Sequence, residues 1–452
     1  VVVLQSISFA NYALTTKTTN IIYGSAPYLT FDGGRTRVTN TEALLRISLS
    51  DGRTFTPTTN NSERNPIVLP VVGQSFNDIG MLVPTDTDSI ALSSLIGTPY
   101  NYWGDDDGDG QGVNGVTATG RLNLFIYDKN GQAVARNQVL TICKAPYRLI
   151  LSNTDGTLTT RYGVPNESRF SAGNTTYYIN PKAPPKVCFA KPNIQWRVGP
   201  AWEYEFPNGF LTQSFTPSSY GLNFPTTGAN KLYFDLGIGG INAQALSWAT
   251  VSHGGITATV TYPYGMSREA RVTLTGPVAT PSQWQSENPG RIDSLSLPQT
   301  FELVGRDSSG NAVVKYGFVL KQWFVNRGDY RSTYSSIESW CNKIGGYRLP
   351  KVRDLTNASC LRDNSNAACE YYANEVNALG GTNLSDYNRY LRHIGGGLFS
   401  EWGRMLGYNG NFEEIYMTQD RVGNSGQRYF SVFSEEGRVS TSITAPGLCV
   451  YP

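Results

Sequence analysis

Residues 334–350 read Tyr334-Ser335-Ser336-Ile337-Glu338-Ser339-Trp340-Cys341-Asn342-Lys343-Ile344-Gly345-Gly346-Tyr347-Arg348-Leu349-Pro350, and the architecture of the C-terminal third follows from them. Tyr334, Ile337, Cys341 and Ile344 recur at helical spacing, which predicts a helix with one apolar face. Ser335 stands three residues before Glu338, the spacing of a capping box in which each side chain satisfies an orphan backbone N–H. Gly345-Gly346 stops the helix, because glycine adopts the left-handed conformation needed just past a helix end. Cys341 therefore points inward. Upstream, Tyr316 to Val325 reads as a strand and Asn326-Arg327-Gly328-Asp329 as the turn after it. Downstream, the chain closes on a second apolar strand, Leu448-Cys449-Val450-Tyr451. A bridge between Cys341 and Cys449 would tie the first helix to the last strand and staple a loop-rich domain.

The run Ser339 to Pro350 resembles the first helix and following turn of a C-type-lectin-like domain, in the form that tips intimin- and invasin-type adhesins of Gram-negative bacteria. Val352-Arg353-Asp354-Leu355-Thr356-Asn357-Ala358, His393-Ile394-Gly395-Gly396-Gly397-Leu398-Phe399-Ser400-Glu401-Trp402-Gly403 and Cys449-Val450-Tyr451-Pro452 fit the same tail. The resemblance covers the last ~130 residues well and is weaker upstream, where that family has immunoglobulin-like modules. It implies a mainly β, multi-domain chain: immunoglobulin-like β-sandwich modules followed by an α+β C-type-lectin-like domain. The expected division is 1–195, 196–318 and 319–452.

Composition agrees with a β-rich chain. Its 452 residues leave room for about three domains. Only 16% of residues are charged, with 47 glycines, 24 prolines and 27 tyrosines, which favours sandwiches with many turns over helical bundles. A net charge of +2 sets up no field that would draw nucleic acid or an anionic membrane. There is no run of ~18 apolar residues, so no bilayer span is expected. The chain opens at Val1 and reads as an excised ectodomain, anchored through a part that precedes it. Six cysteines point to an oxidising compartment and allow fifteen pairings. The expected set is Cys143–Cys188, Cys341–Cys449 and Cys360–Cys369.

Strands are read at Ala43–Leu49, at Ile67–Val72 (an edge, because of Pro70), at Tyr147–Leu151, and at 231–236, 256–262, 270–275, 300–304 and 312–314. Leu122 to Tyr127, the Asn130-Gly131 turn and Ala133 to Leu140 together read as a β-hairpin. Pro181, Pro184 and Pro185 interrupt the pattern, and the first boundary is placed just beyond them, near Lys191–Gln195.

Three groups carry candidate chemistry. Asp105, Asp107 and Asp109 alternate before Gly110 and match the start of a calcium loop, the one cofactor the sequence suggests. Position twelve is Val116, which excludes an EF-hand. Arg327-Gly328-Asp329 is the tripeptide that integrins read when it is displayed on a turn, set against the plain reading of a Gly-Asp turn before a helix. Trp402, Tyr408 and Tyr416 could stack on a sugar if exposed, although the tail lacks the Glu-Pro-Asn and Trp-Asn-Asp triplets of calcium-dependent lectins. No Gly-x-Ser-x-Gly or His-Glu-x-x-His motif occurs, and His393 reads as structural, so no enzyme is expected. Glu413-Glu414 and Glu435-Glu436 are neighbours in sequence, and on a strand they would face opposite sides. The function the resemblance implies is adhesion at a bacterial outer surface, with a host-cell surface protein (an integrin among the candidates) as partner. The alternatives are a glycan-binding lectin and a structural or self-association module.

Overall fold

The computed structural model describes residues 23–108, 115–193, 199–200, 202–266, 268–361, 366–380, 387–423, 426 and 428–452. They form two compact units, Val1–Ala183 and Pro184–Pro452, and are mainly strand.

In the first unit a five-stranded sheet runs in the order Ile67–Val68, Gly173–Asn180, Tyr147–Asn153, Arg121–Tyr127, Ser89–Ala91. A three-stranded sheet of Glu167–Phe170, Gly156–Thr160 and Val116–Thr119 stands beside it. Period-two alternation sends Tyr147, Leu149 and Leu151 of one strand, and Leu122, Leu124 and Ile126 of its neighbour, into one core with Leu29 and Phe76. Ile67–Val68 is an edge strand ended by Pro70, as expected. Two expectations fail. Ala43–Leu49 is not one strand: Asn40 caps a short helix over Thr41–Leu44, its side chain accepting the Ala43 N–H at 2.9 Å, and only Ile47–Ser48 is extended. The hairpin also fails beyond its turn. Asp128 accepts the N–H groups of Asn130 and Gln132, both at 2.9 Å, and so closes the turn, but residues 133–140 form no strand. Past the turn only Ala133 bridges Tyr127, with Val134 N–H donating to Ile126 O at 3.0 Å, while the far end of that edge, Arg121–Asn123, is held by Ser89–Ala91.

The second unit begins at the proline run. Lys186–Lys191 lies ahead of the boundary read from sequence, yet pairs with Gly209–Leu211 and Tyr233–Gly239 in this unit's seven-stranded sheet. The sheet continues through Glu269–Thr275 and Ile256–Thr261 to the edge strand Val251–His253. A second sheet, Ser247–Trp248, Gln299–Arg306 and Ala312–Leu320, completes an immunoglobulin-like β-sandwich. The α+β, C-type-lectin-like head comes next. Its strand Gln322–Thr333 leads into a helix over Tyr334–Lys343 and is paired antiparallel by the closing strand Thr444–Tyr451. A second head sheet holds Ile415–Arg421, Tyr429–Phe433 and Val439–Ser442.

Nothing in the packing separates sandwich from head at residue 318. One apolar core runs from Val187 to Val450. Thr227–Ala229, from the sandwich half of the sequence, joins the head's sheet as a parallel partner of Gln322–Phe324. Residues 277–298 leave the sandwich after Thr275 and cross the head's first helix as a strap before returning at Gln299. Trp323 Nε1–H donates to Pro277 O at 2.9 Å, Trp340 Nε1–H to Gln283 O at 2.9 Å, Lys343 Nζ to Glu287 O at 2.7 Å, and Ile292 N–H to Ile344 O at 2.8 Å.

Candidate functional site

Four features were nominated from sequence in the second unit: the helix with its staple, the tripeptide, the three aromatic side chains and His393. The helix forms as its spacing predicts, with Ile337, Trp340 and Cys341 buried, and Gly345 (φ 103°) and Gly346 (φ 81°) stop it. The capping box does not form. Thr333 occupies the N-cap without a side-chain bond, and Glu338 accepts instead from the Tyr334 hydroxyl at 2.6 Å. Cys341 is joined to Cys449 with Cα atoms 5.5 Å apart, and Cys360 is joined to Cys369. Cys143 and Cys188 are disulfide-bonded as well.

The tripeptide is not displayed as a unit. It lies where the strand Gln322–Thr333 breaks register between Asn326 and Arg331. The Arg327 side chain is 0% exposed. It donates to Trp284 O at 2.8 Å, to Ser336 Oγ at 3.2 Å and to Glu287 Oε1 at 3.3 Å, and its guanidinium lies over the rings of Tyr330 (4.4 Å) and Trp340 (5.3 Å). Gly328 (φ 62°) is pressed under Trp284, where a Cβ would come within 2.4 Å of the indole. Only Asp329 faces solvent. The tripeptide lies inside the strand Gln322–Thr333 at a break in its register, so the turn and the display are both corrected, and Arg327 anchors the strap. Arg327→Ala should therefore cost about 3 kcal/mol of stability, the scale for removing one partner of a buried charged network. Asp329→Ala should stay within about 0.5 kcal/mol. Paired chemical-denaturation curves check both.

Trp402, Tyr408 and Tyr416 are all buried. Trp402 Nε1–H donates to Thr227 O at 3.0 Å, and its ring meets Phe224 edge-on at 4.9 Å. Tyr408 donates to Trp402 O at 3.0 Å and accepts the Asn193 N–H at 2.7 Å. Trp402 and Tyr408 lie at the junction between sandwich and head, Tyr416 packs against Phe399 inside the head, and none of the three offers a face to a sugar. His393 Nδ1 meets Glu203 Oε1, which also accepts the Ile394 N–H at 3.2 Å, so this histidine is structurally engaged. Glu435 pairs with Arg404 at 3.2 Å and Glu436 with Arg389 at 3.0 Å, so the adjacent carboxylates take different partners.

Sequence reading missed the centre of that junction. Glu401, on the short helix Leu398–Trp402, is completely buried. It accepts from Thr226 N–H (3.1 Å) and Oγ1–H (2.6 Å), from Thr227 N–H (2.9 Å) and Oγ1–H (2.6 Å), and from Gly395 N–H (2.8 Å). Five donors replace the carboxylate's hydration shell. Two threonines of the sandwich half thereby hold the helix Leu398–Trp402 in place.

A second carboxylate organises the head's next turn. Burial alone would push Asp354 up. Arg348 Nη1–H at 2.6 Å, Lys351 N–H at 2.8 Å and Gln322 Nε2–H at 3.0 Å outweigh that and hold its carboxyl below the ordinary value. A depressed folded-state value means the stabilisation is complete above the unfolded value of about 3.9 and is lost as pH falls through the folded one. Nearby Asp420 is raised, first by burial and also by the Asp354 charge, and so shifts in the opposite sense. Asp354→Asn should lower stability at pH 7 and flatten its decline below about pH 4, read as melting temperature against pH.

In the first unit, the described aspartates of the acidic loop are engaged by the protein. Asp106 takes the Arg37 guanidinium and the Tyr28 hydroxyl, and Asp107 accepts the Ser25 N–H. Asp109 lies outside the described residues. Among the described residues no group of three or more His, Cys, Asp or Glu side chains converges on a metal site, so Asp105 and Asp107 do not by themselves make a calcium shell.

With its nominated aromatics buried, the head still exposes two large apolar side chains beside its short disulfide. Leu361 follows Cys360 and is 56% exposed; Tyr371 lies two residues after Cys369 and is 68% exposed. Asn366 caps the helix Ala367–Leu379, accepting from Ala368 and Cys369 N–H, and the helix is interrupted at Tyr372. Tyr372 packs edge-on to Phe430 at 6.2 Å, while Tyr371 stays outside.

No family model matches the sequence, and no curated protein matches it. Among solved structures the chain is similar to invasin, a bacterial integrin-binding protein, at 12% identity and a TM-score of 0.37, over 75% of this chain and 52% of that one. It is also similar to the C-terminal 282-residue fragment of intimin held with the intimin-binding domain of the translocated intimin receptor, at 12% identity and a TM-score of 0.31, over 76% and 89%. The chain spans about half the length of the invasin structure. The likeness is one of fold. Among the described residues no helix is long and apolar enough to cross a membrane.

Proposed function

We propose that this chain is the outward-facing part of a bacterial surface adhesin and that its lectin-like head binds a protein on a host cell. The observation that carries the reading is the pairing of a rigidly seated head with two exposed apolar side chains, Leu361 and Tyr371, flanking a disulfide. Exposed aromatic and aliphatic anchors on a rigid scaffold are the usual energetic centre of a protein interface. In this reading the 196–318 sandwich is a stalk that sets the head's distance and angle, and 319–452 is the tip. In the same reading the stalk is held at the outer surface of a Gram-negative cell. Arg327-Gly328-Asp329 is left out of the contact, because its arginine belongs to the strap.

Tyr371→Ala and Leu361→Asp are the variants to make. Loss of a hot-spot contact worth about 2 kcal/mol weakens binding some thirty-fold. Attachment of fluorescent full-length chain to host cells should fall by that order in each variant, with the melting temperature unchanged. Attachment equal to wild type in both variants, or wild-type attachment abolished by soluble sugars, would defeat the reading.

A further inference from the structure

An open groove of about 470 Å³ lies in the second unit between the sandwich and the strap, well within the range of ligand sites. Its sandwich side is bare backbone at Gly255 and Gly276, with Thr257 and Thr275 beside them. Gly276 carries nothing because the Trp323 ring stands 2.6 Å from where a Cβ would sit. The strap side contributes Val278, Arg291, Ile292 and Asp293. Gln283 also reaches the groove, but its amide is spent on Thr280 N–H (2.9 Å) and Pro289 O (3.0 Å).

Arg291 and Asp293 are different. Both are exposed, they sit two residues apart, and among the described residues neither makes a hydrogen bond or an ion pair through its side chain. The groove thus offers a donor fork, which lies beside Gly345 with Nε 3.2 Å from where a Cβ would sit, and an acceptor two residues further along the strap. A simple anion attracted by Arg291 is repelled by Asp293, and a simple cation meets the reverse. A ligand that donates and accepts through neighbouring groups satisfies both, and vicinal hydroxyls do this because each is one donor with two acceptor lone pairs. Val278 and Ile292 add apolar surface against which the C–H face of a ring can lie.

We propose that this groove is a saccharide-binding subsite, in which adjacent hydroxyls of a neutral sugar donate to Asp293 and accept from Arg291. It lies on the sandwich, away from the Leu361–Tyr371 surface, and does not depend on the adhesin reading.

Saturation-transfer NMR on the full chain, with lactose, cellobiose, maltose and N-acetyllactosamine as probes, tests it. At least one disaccharide should show transfer, and Arg291→Ala and Asp293→Ala should each weaken its binding tenfold or more. Both positions are exposed, so the melting temperature should not move. Silence from all four sugars at millimolar concentration, or binding kept by both variants, overturns the proposal. So does a titration in which inorganic phosphate binds, is lost in Arg291→Ala and tightens in Asp293→Ala, since that pattern defines an anion site.

Discussion

Glu401→Ala should unfold the second unit more readily by about 4–5 kcal/mol, because it strips the shared acceptor from five buried donors. Five donors converge on that carboxylate, and each would be left facing a dry cavity at roughly 1–3 kcal/mol apiece before relaxation and entering water recover part of the cost. Glu401→Gln keeps the volume but turns an N–H group toward N–H donors, so it should recover less than half of the loss. In guanidinium titrations followed by tryptophan fluorescence the midpoint should fall with little change in slope, because the folded state loses an interaction while the unfolded chain is unaltered. An effect under about 1 kcal/mol, the net worth of a single hydrogen bond, would mean that Thr226 and Thr227 find other acceptors and that the junction is held by its rings alone.

Removing the Cys341–Cys449 bridge by the double replacement Cys341→Ser and Cys449→Ser should cost a similar amount by a different route. The cysteines are 108 residues apart, and the chain-entropy estimate for a loop of that size is about 4.8 kcal/mol. Cys360–Cys369, only 9 apart, should contribute about 2.6 kcal/mol by the same estimate. The long bridge acts mainly on the unfolded ensemble. Its removal should therefore steepen the denaturant dependence as well as shift the midpoint, because the freed chain exposes more surface. That steepening separates this variant from Glu401→Ala. Equal losses for the two bridges would contradict the loop-entropy account.

The contrast between those residues explains how much could be read in advance. The head's first helix, its glycine stop and the inward cysteine were legible because each depends on spacing over a few residues. The strands at 147–151, 256–262 and 270–275 were legible for the same reason. Glu401 was not: its neighbours in sequence, Ser400 and Trp402, say nothing of two threonines about 175 positions upstream. Arg327 looked like a display motif because Gly-Asp reads locally as a turn, while the groups that bury it, Trp284 and Glu287, lie some forty residues earlier. The strap carries no periodicity at all, so its 277–298 sequence reads as loop and its contacts appear only in three dimensions. The failed hairpin is the complementary case. Asn130-Gly131 signalled a turn correctly, but the conformation of the chain past a turn depends on which strand claims the open edge, and Ser89–Ala91 holds its far end, so pairing stops at Ala133 and Val134. Likewise the proline run itself marked the division of the chain more closely than the boundary placed beyond it at Lys191–Gln195, since the division falls between Ala183 and Pro184.

The parallel seat of Thr227–Ala229 against Gln322–Phe324 has a mechanical corollary. In the adhesin proposed above, flow would pull the head away from the sandwich, and Thr227–Ala229 would share that tension with the covalent link at Lys321. Here three backbone registers lie alongside the link and slide together under load instead of peeling open one at a time. Strands strained in this sheared arrangement resist far larger forces than strands unzipped from one end, so detachment under flow should begin where the head grips its target and leave the neck intact.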